Sequence, residues 1–109
     1  MTKTLPDKFV KKMDDKTQTR RREILDAALS ESVRVGYRLI TAKQVAAAAG
    51  CTHGTVFNHF RDMANLRRAV MVYAIDTENA EVVLQGIVSR DHAAMRAPYA
   101  LKQMALTIL

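Results

Sequence analysis

The chain has 109 residues, 49% of them hydrophobic, and a formal net charge of +6. This length predicts one domain, with a core modest enough that a partner subunit often adds stability. Because it has only two prolines, four glycines and no tryptophan, and is rich in alanine, the composition favours helices over strands. The single cysteine, Cys51, excludes an internal disulfide.

The basic character lies in the N-terminal part of the chain. Residues 1–68 hold 14 basic and 7 acidic side chains, whereas residues 69–109 hold 3 and 4. This asymmetry fits a nucleic-acid-binding half joined to a neutral packing half, and a solvated basic surface explains it equally well. Because no apolar run has the length of a signal-peptide core or a membrane span, we expect a cytoplasmic protein without a membrane partner.

The first predicted elements are an arm and a helix. Residues 1–18 are polar and charged, and we expect a flexible basic arm. From about Thr19 a helical pattern runs to Gly36, where glycine suits a helix C-terminus. Apolar residues at helical spacing give this helix one buried face: Ile24, Leu25, Ala28, Leu29 and Val33.

Two short helices follow. Thr41 is an N-cap candidate for a helix over Ala42 to Ala49, which Gly50 ends. Thr52 caps a third helix that ends near His59 or Phe60. Two short helices joined by a tight glycine turn are the helix-turn-helix pattern.

The remaining chain is also helix-competent. Asp62 is predicted to cap a long fourth helix from about Met63 to Leu84, and Gly86 to interrupt the chain after it. Asp91 starts a fifth helix, and Pro98 either kinks it or begins another. The predicted fold class is all-α: a three-helix helix-turn-helix domain over 19–62, then a long fourth helix and one or two short C-terminal helices. Residues 63–109 form the predicted packing and dimerisation region.

The third helix carries the predicted chemistry. Val45, Val56 and Phe60 supply the core beneath it, which leaves small or hydrogen-bonding residues facing outward, as a major-groove surface requires. These outward residues are His53, Gly54, Thr55, Asn58 and His59. Thr41 and Thr52 each offer a hydroxyl and backbone N–H groups to a phosphate at a helix N-terminus.

From about Arg21 to Val70 the sequence resembles the TetR-like transcriptional repressors. The matching residues occur in order and at the family's spacing: Ile24-Leu25-Asp26-Ala27-Ala28, Gly36-Tyr37, Ile40-Thr41, Val45-Ala46, Ala49-Gly50, Gly54-Thr55, His59-Phe60, Asp62 and Leu66.

The resemblance implies roles for individual residues. It makes Thr41, Thr52 and His59 phosphate contacts, and His53, Gly54 and Thr55 readers of base edges. Phe57 stands where a tyrosine is usual and Met63 where a lysine is usual, so two backbone contacts are lost, and Arg61 is the candidate to supply the missing charge. The predicted DNA-binding residues are Arg20, Arg21, Thr41, Lys43, Thr52, His53, Gly54, Thr55, Phe57, Asn58, His59 and Arg61.

The resemblance also frames the function. Members usually carry well over a hundred residues after the motif, whereas about forty follow Met71 here, so we expect no small-molecule effector pocket. We expect a homodimer through residues 63–109 that binds double-stranded DNA at a palindromic operator as a repressor.

Other functions have less support in the sequence. Cys51, His53 and His59 lack the spacing of a compact zinc site, and no catalytic constellation or phosphate-binding glycine loop is present, so we expect no metal, no cofactor and no enzyme activity. Two alternatives stay open. One is a plasmid or phage architectural or assembly factor that uses the same motif, and the other is a protein-binding module that has lost DNA binding.

Overall fold

The computed structural model describes the backbone of residues 5–109 and the side chains of residues 16–109. In this part of the chain all regular secondary structure is helical, which confirms the predicted all-α class. The helices are α1 (Leu5–Val35), α2 (Ala42–Ala49), α3 (His53–Phe60), α4 (Met63–Asp76), α5 (Ala80–Val88), α6 (His92–Met95) and α7 (Tyr99–Leu106). None of these helices has the length and apolar character that crossing a bilayer requires.

Helix α1 begins at Leu5, not near Thr19 as the sequence pattern predicts. Pro6 suits a first helical turn, and no further proline or glycine interrupts the chain until Gly36, so the helix continues through most of the predicted arm. Thr19 therefore lies inside α1. Residues 1–4 lie outside the described residues, and the flexibility expected of residues 1–18 stays a prediction.

The buried face of α1 differs from the prediction at its C-terminal end. Ile24 and Ala28 are fully buried, but Val33 is 41% exposed. Val33 follows Ile24 by nine residues, which is two and a half helical turns and places it on the opposite side. Ser32 is buried instead, and its hydroxyl donates a hydrogen bond of 2.7 Å to the carbonyl oxygen of Ala28. The polar group is thereby satisfied inside the core.

One apolar cluster holds the first four helices together. It contains Ile24 of α1, Val45 of α2, Val56 and Phe60 of α3, and Leu66 of α4, all of them buried. Because Val56 and Phe60 lie one turn apart, α3 is fixed against the other helices along a single face. The opposite face of α3 is left toward solvent.

The predicted long fourth helix is divided in two. Helix α4 ends at Asp76, and Glu78 takes a left-handed conformation with φ of 57°. The side-chain oxygen of Asn79 then accepts a hydrogen bond of 3.1 Å from the backbone N–H of Val82 and so caps α5. The prediction of one helix to Leu84 was wrong because this break uses neither glycine nor proline, and only the capping asparagine marks it.

Gly86 lies inside α5 and does not interrupt the chain there. A Cβ at this position would lie 2.5 Å from the Cβ of Ala94 and 2.7 Å from the Cε of Met71. Glycine therefore allows α5 to approach α6 and α4 closely. The glycine that suggested a break in the chain is therefore required for helix packing.

Three short helices follow α4 in the described residues, where one or two were predicted. Asp91 caps α6 as predicted, since its Oδ1 accepts hydrogen bonds from the N–H groups of Ala93 and Ala94 at 2.9 and 3.2 Å. Pro98 stands directly before α7. Leu101 and Ala105 of α7 are buried in the core. Apolar side chains that stay exposed on or just after α7 are Tyr99, Met104, Leu106, Ile108 and Leu109.

Candidate nucleic-acid interface

Helix α2 begins with a reciprocal capping arrangement at Thr41. The Thr41 hydroxyl oxygen accepts a hydrogen bond of 3.2 Å from the backbone N–H of Gln44, and the Gln44 Oε1 accepts one of 3.1 Å from the N–H of Thr41. Thr41 is exposed, and Lys43 is exposed in the first turn. The N-terminal backbone N–H groups of a helix attract anions, so this end of α2 presents a favourable surface to a phosphate.

Thr52 begins α3 in the predicted way. Its hydroxyl oxygen accepts a hydrogen bond of 3.2 Å from the backbone N–H of Thr55, and the two threonine hydroxyl oxygens lie 3.1 Å apart. The Thr55 hydroxyl is therefore held in place by its neighbour. A side chain fixed in this way loses less conformational freedom when it binds a partner.

The turn between α2 and α3 requires a glycine at position 50. Gly50 has a φ of 73° and its backbone N–H points back to the carbonyl oxygens of Ala46 and Ala47. No atom lies within 4 Å of a Cβ built at Gly50, so the requirement is conformational and not steric. Cys51 follows, half-buried and packed against the core.

The faces of α3 follow from its two buried residues. Val56 and Phe60 point into the core, and with 3.6 residues per turn Gly54 and Asn58 lie farthest from them. Both are exposed. Thr55 and His59 flank this outward face on one side, and His53 and Phe57 flank it on the other. The predicted readers are thus brought together on one surface, with Asn58 near its centre.

His53 and Phe57 contact each other on one flank of α3. Their ring centroids are 5.7 Å apart, with the ring planes at 81°. His53 is exposed and Phe57 is half-buried. Edge-to-face contact is a favourable arrangement for such rings. Phe57 therefore holds the His53 ring in place, a role that its position in the family pattern did not suggest.

Gly54 has no structural reason to be glycine. It lies in the first turn of α3, and a Cβ added there would make an ordinary contact of 3.7 Å with the Thr52 Oγ1. Its φ lies outside the left-handed region that favours glycine. A glycine on an exposed helix face lets another molecule approach the backbone closely.

The predicted arginine contacts have different surroundings. Arg20 forms an ion pair of 3.1 Å with Glu23 along α1, so its charge is partly neutralised. The Arg21 guanidinium lies 4.5 Å from the centroid of the Phe60 ring, a cation–π contact. Arg61 is exposed directly after α3 and has a φ of 73°. Of these three predicted contacts, Arg21 and Arg61 lie beside the end of α3 without a partner carboxylate among the described side chains.

Arg68 is not among the predicted DNA-binding residues, although the structure places it near them. Its Nη1 donates a hydrogen bond of 2.6 Å to the Asn65 Oδ1, and the backbone N–H of Asn65 donates one of 2.8 Å to the Asp62 Oδ1. The spacing of three residues in Asp62, Asn65 and Arg68 was the available signal. No group of three metal-ligating side chains occurs among the described residues.

The short α2, the glycine turn and the outward polar face of α3 define a helix-turn-helix unit. The family model for bacterial regulatory proteins, tetR family, matches residues 24–70. Residues 24–70 therefore form a TetR-type helix-turn-helix domain. A comparison with curated proteins found no significant match, and neither did one with solved structures.

Proposed function

We propose that the protein is a repressor that binds a palindromic operator in double-stranded DNA as a homodimer. The observation that carries the proposal is the outward face of α3. Gly54 and Asn58 are exposed at its centre, and Thr55 and His53 stand on either side. These side chains match the size and hydrogen-bonding character that reading base edges in the major groove requires.

Two helix N-termini support the proposal by their position. Thr41 and Thr52 begin the two helices of the motif, and both are exposed. Contacts from such positions to phosphates fix the register of a protein on DNA without reading sequence. The base-reading residues of α3 would then act from a fixed depth in the groove.

DNA binding is tested by fluorescence anisotropy with a labelled duplex at two salt concentrations. We expect binding that weakens steeply with salt, because phosphate neutralisation releases counterions. Thr55→Ala is expected to reduce the ratio of the affinities for specific and random duplexes by about tenfold, which corresponds to one lost base contact. Thr107→Ala, which removes the hydroxyl of an exposed threonine from the C-terminal end, is the control. Equal behaviour of the two variants would contradict the assignment of α3.

Dimerisation is proposed through residues 63–109. The support is the exposed apolar set around α7, in which Tyr99 is 75% exposed and Met104 is 49% exposed. Exposed apolar patches of this kind are typical of protein–protein contacts. Sedimentation velocity of the parent and of Met104→Glu tests the point, with dimer expected for the parent and monomer for the variant. A parent that is monomeric on and off a palindromic duplex would contradict the dimer.

A second candidate is a protein-binding module without DNA binding. Phe57 and Met63 favour it, since neither offers the hydroxyl or ammonium group that the family pattern has there. Both are half-buried, so each also has a packing role. Absence of any mobility shift at low salt with long random duplex DNA is the result that would favour this candidate.

A further inference from the structure

A groove of about 560 Å³ runs between α1 and α4, beside the C-terminal end of α3. We call it the α1–α4 groove. Its floor is apolar and includes Leu25 and Phe60. Four basic side chains line it: Arg21, His59, Arg61 and Arg68. They come from α1, from the end of α3 and the residue after it, and from α4, so only the folded chain brings them together.

The cations of the groove are unneutralised among the described side chains. The ion pairs in that part of the chain join Arg20 to Glu23 and Arg34 to Glu31, and neither pair lies in the groove. One acidic residue, Asp76, lines the groove, at the C-terminal end of α4. The basic end therefore lies toward α3 and carries an excess of positive charge.

Two of the guanidinium groups are held in place by neutral partners. Arg21 lies over the Phe60 ring at 4.5 Å, and Arg68 donates to the Asn65 side chain at 2.6 Å. Both arrangements position a guanidinium without cancelling its charge. Arginine held in this way is well suited to an oxyanion such as phosphate, because its planar donors match that geometry.

The groove is continuous with the outward face of α3. His59 lines the groove and lies one helical turn after Thr55 on the same flank. A duplex that lies along α3 has its sugar-phosphate backbone passing beyond the C-terminal end of that helix. The apolar floor of Leu25 and Phe60 offers a surface for a sugar, and the cations offer one for a phosphate.

We infer that the α1–α4 groove seats a backbone phosphate of the DNA strand that flanks the base pairs read by α3, with Arg68 as its principal contact from α4. This inference rests on the proposed DNA binding. It extends the contact surface beyond the helix-turn-helix itself to the second turn of α4. It also gives Asn65 a function, which is to position Arg68.

Ethylation interference on a selected duplex tests the phosphate contact directly, and Arg68→Gln is the main variant. For the parent we expect interference at a phosphate outside the base pairs read by α3. Arg68→Gln should lose that position, weaken binding to all sequences by about tenfold at low salt, and reduce the salt slope by about 1. Asn65→Ala keeps the charge and should weaken interference at the same phosphate only.

Arg67→Gln is the matched control, because it removes the same charge from the neighbouring position on α4 but lies outside the groove lining. If Arg67→Gln and Arg68→Gln reduce affinity and salt slope equally and no phosphate loses interference, the inference is overturned while DNA binding stands. If no variant and no parent sample binds duplex DNA, the proposed function fails and the inference fails with it.

Free phosphate is the other source of the same chemistry. At matched ionic strength, replacing chloride by inorganic phosphate should weaken DNA binding of the parent more than that of Arg68→Gln, because the free anion competes with the backbone phosphate for the groove. A parent whose binding is weakened selectively by phosphate, but which shows no ethylation interference outside the base pairs read by α3, would assign the groove to a free anion and overturn the inference.

Discussion

Of Gly54 and Gly50, only Gly50 has a backbone conformation that requires glycine. Gly54 is helical and has room for a Cβ, whereas Gly50 has a φ of 73° and open space around it. Folding therefore tolerates a substitution at Gly54 but not at Gly50. Any cost of replacing Gly54 must then come from what the exposed surface binds.

Gly54→Ala is expected to preserve or raise stability by up to about 1 kcal/mol, because alanine favours a helix. It should weaken specific DNA binding, since the added methyl group keeps the backbone from approaching the duplex. Gly50→Ala should instead lower stability by about 1–2 kcal/mol. Thermal unfolding and anisotropy on both variants separate the two effects. Unchanged DNA affinity for Gly54→Ala would show that α3 does not approach DNA at this point.

Tyr73 on α4 donates a hydrogen bond to Asp26 on α1. This hydrogen bond raises the pKa of Tyr73 above 10.0, and partial burial and the Asp26 charge act in the same direction, while Arg22 opposes them. The folded chain thus favours the protonated phenol. The stabilisation is fully present below the unfolded pKa of about 10 and is lost as the pH rises through the raised folded value.

Tyr73→Phe should therefore lower stability by at most about 1 kcal/mol near neutral pH, because the pair faces solvent. The difference between parent and variant should shrink above about pH 10. Denaturant unfolding of both proteins across pH 7 to about 11 measures it. A difference that stays constant through this range would mean that the phenol and Asp26 do not interact in solution.

At the scale of elements, hydrogen bonds join α1 and the loop after it to the C-terminal helices. Gln85 of α5 accepts from the backbone N–H of Tyr37 at 2.7 Å and donates to the carbonyl oxygen of Ser32 at 2.9 Å. The buried Tyr37 hydroxyl lies 3.0 Å from the Ser89 Oγ and donates to the Asp91 Oδ2 at 3.1 Å. These bonds tie the loop after α1 to α5 and α6.

Gln85→Ala should lower the free energy of unfolding by about 1–3 kcal/mol, because it leaves the backbone N–H of Tyr37 without a partner. The Ser32 carbonyl oxygen loses one hydrogen bond but keeps the one from the Gly36 N–H at 2.8 Å. Tyr37→Phe should cost about 1 kcal/mol for the lost hydroxyl bonds. Tyr99→Phe, at an exposed tyrosine, serves as the control and should change nothing measurable. Urea unfolding gives all three values. Equal stability of Tyr37→Phe and Tyr99→Phe would contradict the proposed link.

The bounds of α2 and α3 were predictable from sequence, whereas the break between α4 and α5, which only the Asn79 cap marks, and the packing role of Gly86 were not. Thr41, Gly50 and Thr52 mark the ends of α2 and α3 with local chemistry, so those bounds followed from the residues alone. The packing role of Gly86 was not visible in the local sequence, because the residues that require a glycine there, Ala94 and Met71, lie on other helices. The contact between Arg21 and Phe60 was not predictable for the same reason, because the two residues lie on different helices.

Most basic residues and the exposed apolar residues around α7 lie in different parts of the chain. Fourteen of the 17 basic residues precede position 69, and the α1–α4 groove gathers several of them beside α3. The exposed apolar residues around α7 lie in the half that is nearly neutral. Such a division suits a protein that binds a polyanion with one part and another protein surface with the other.

Selection of binding sites from a pool of random double-stranded DNA tests the central claim, which is that α3 reads base sequence. We predict an enriched motif for the parent chain, with an adenine at a position that Asn58→Ala no longer specifies, because an asparagine amide pairs with the N6 and N7 of adenine. Asn79→Asp is the control, because it lies at the N-cap of α5, outside α3, and aspartate can still cap that helix. This variant should select the parent motif. No enrichment over the starting pool, or one unchanged motif for the parent and Asn58→Ala, would contradict the claim.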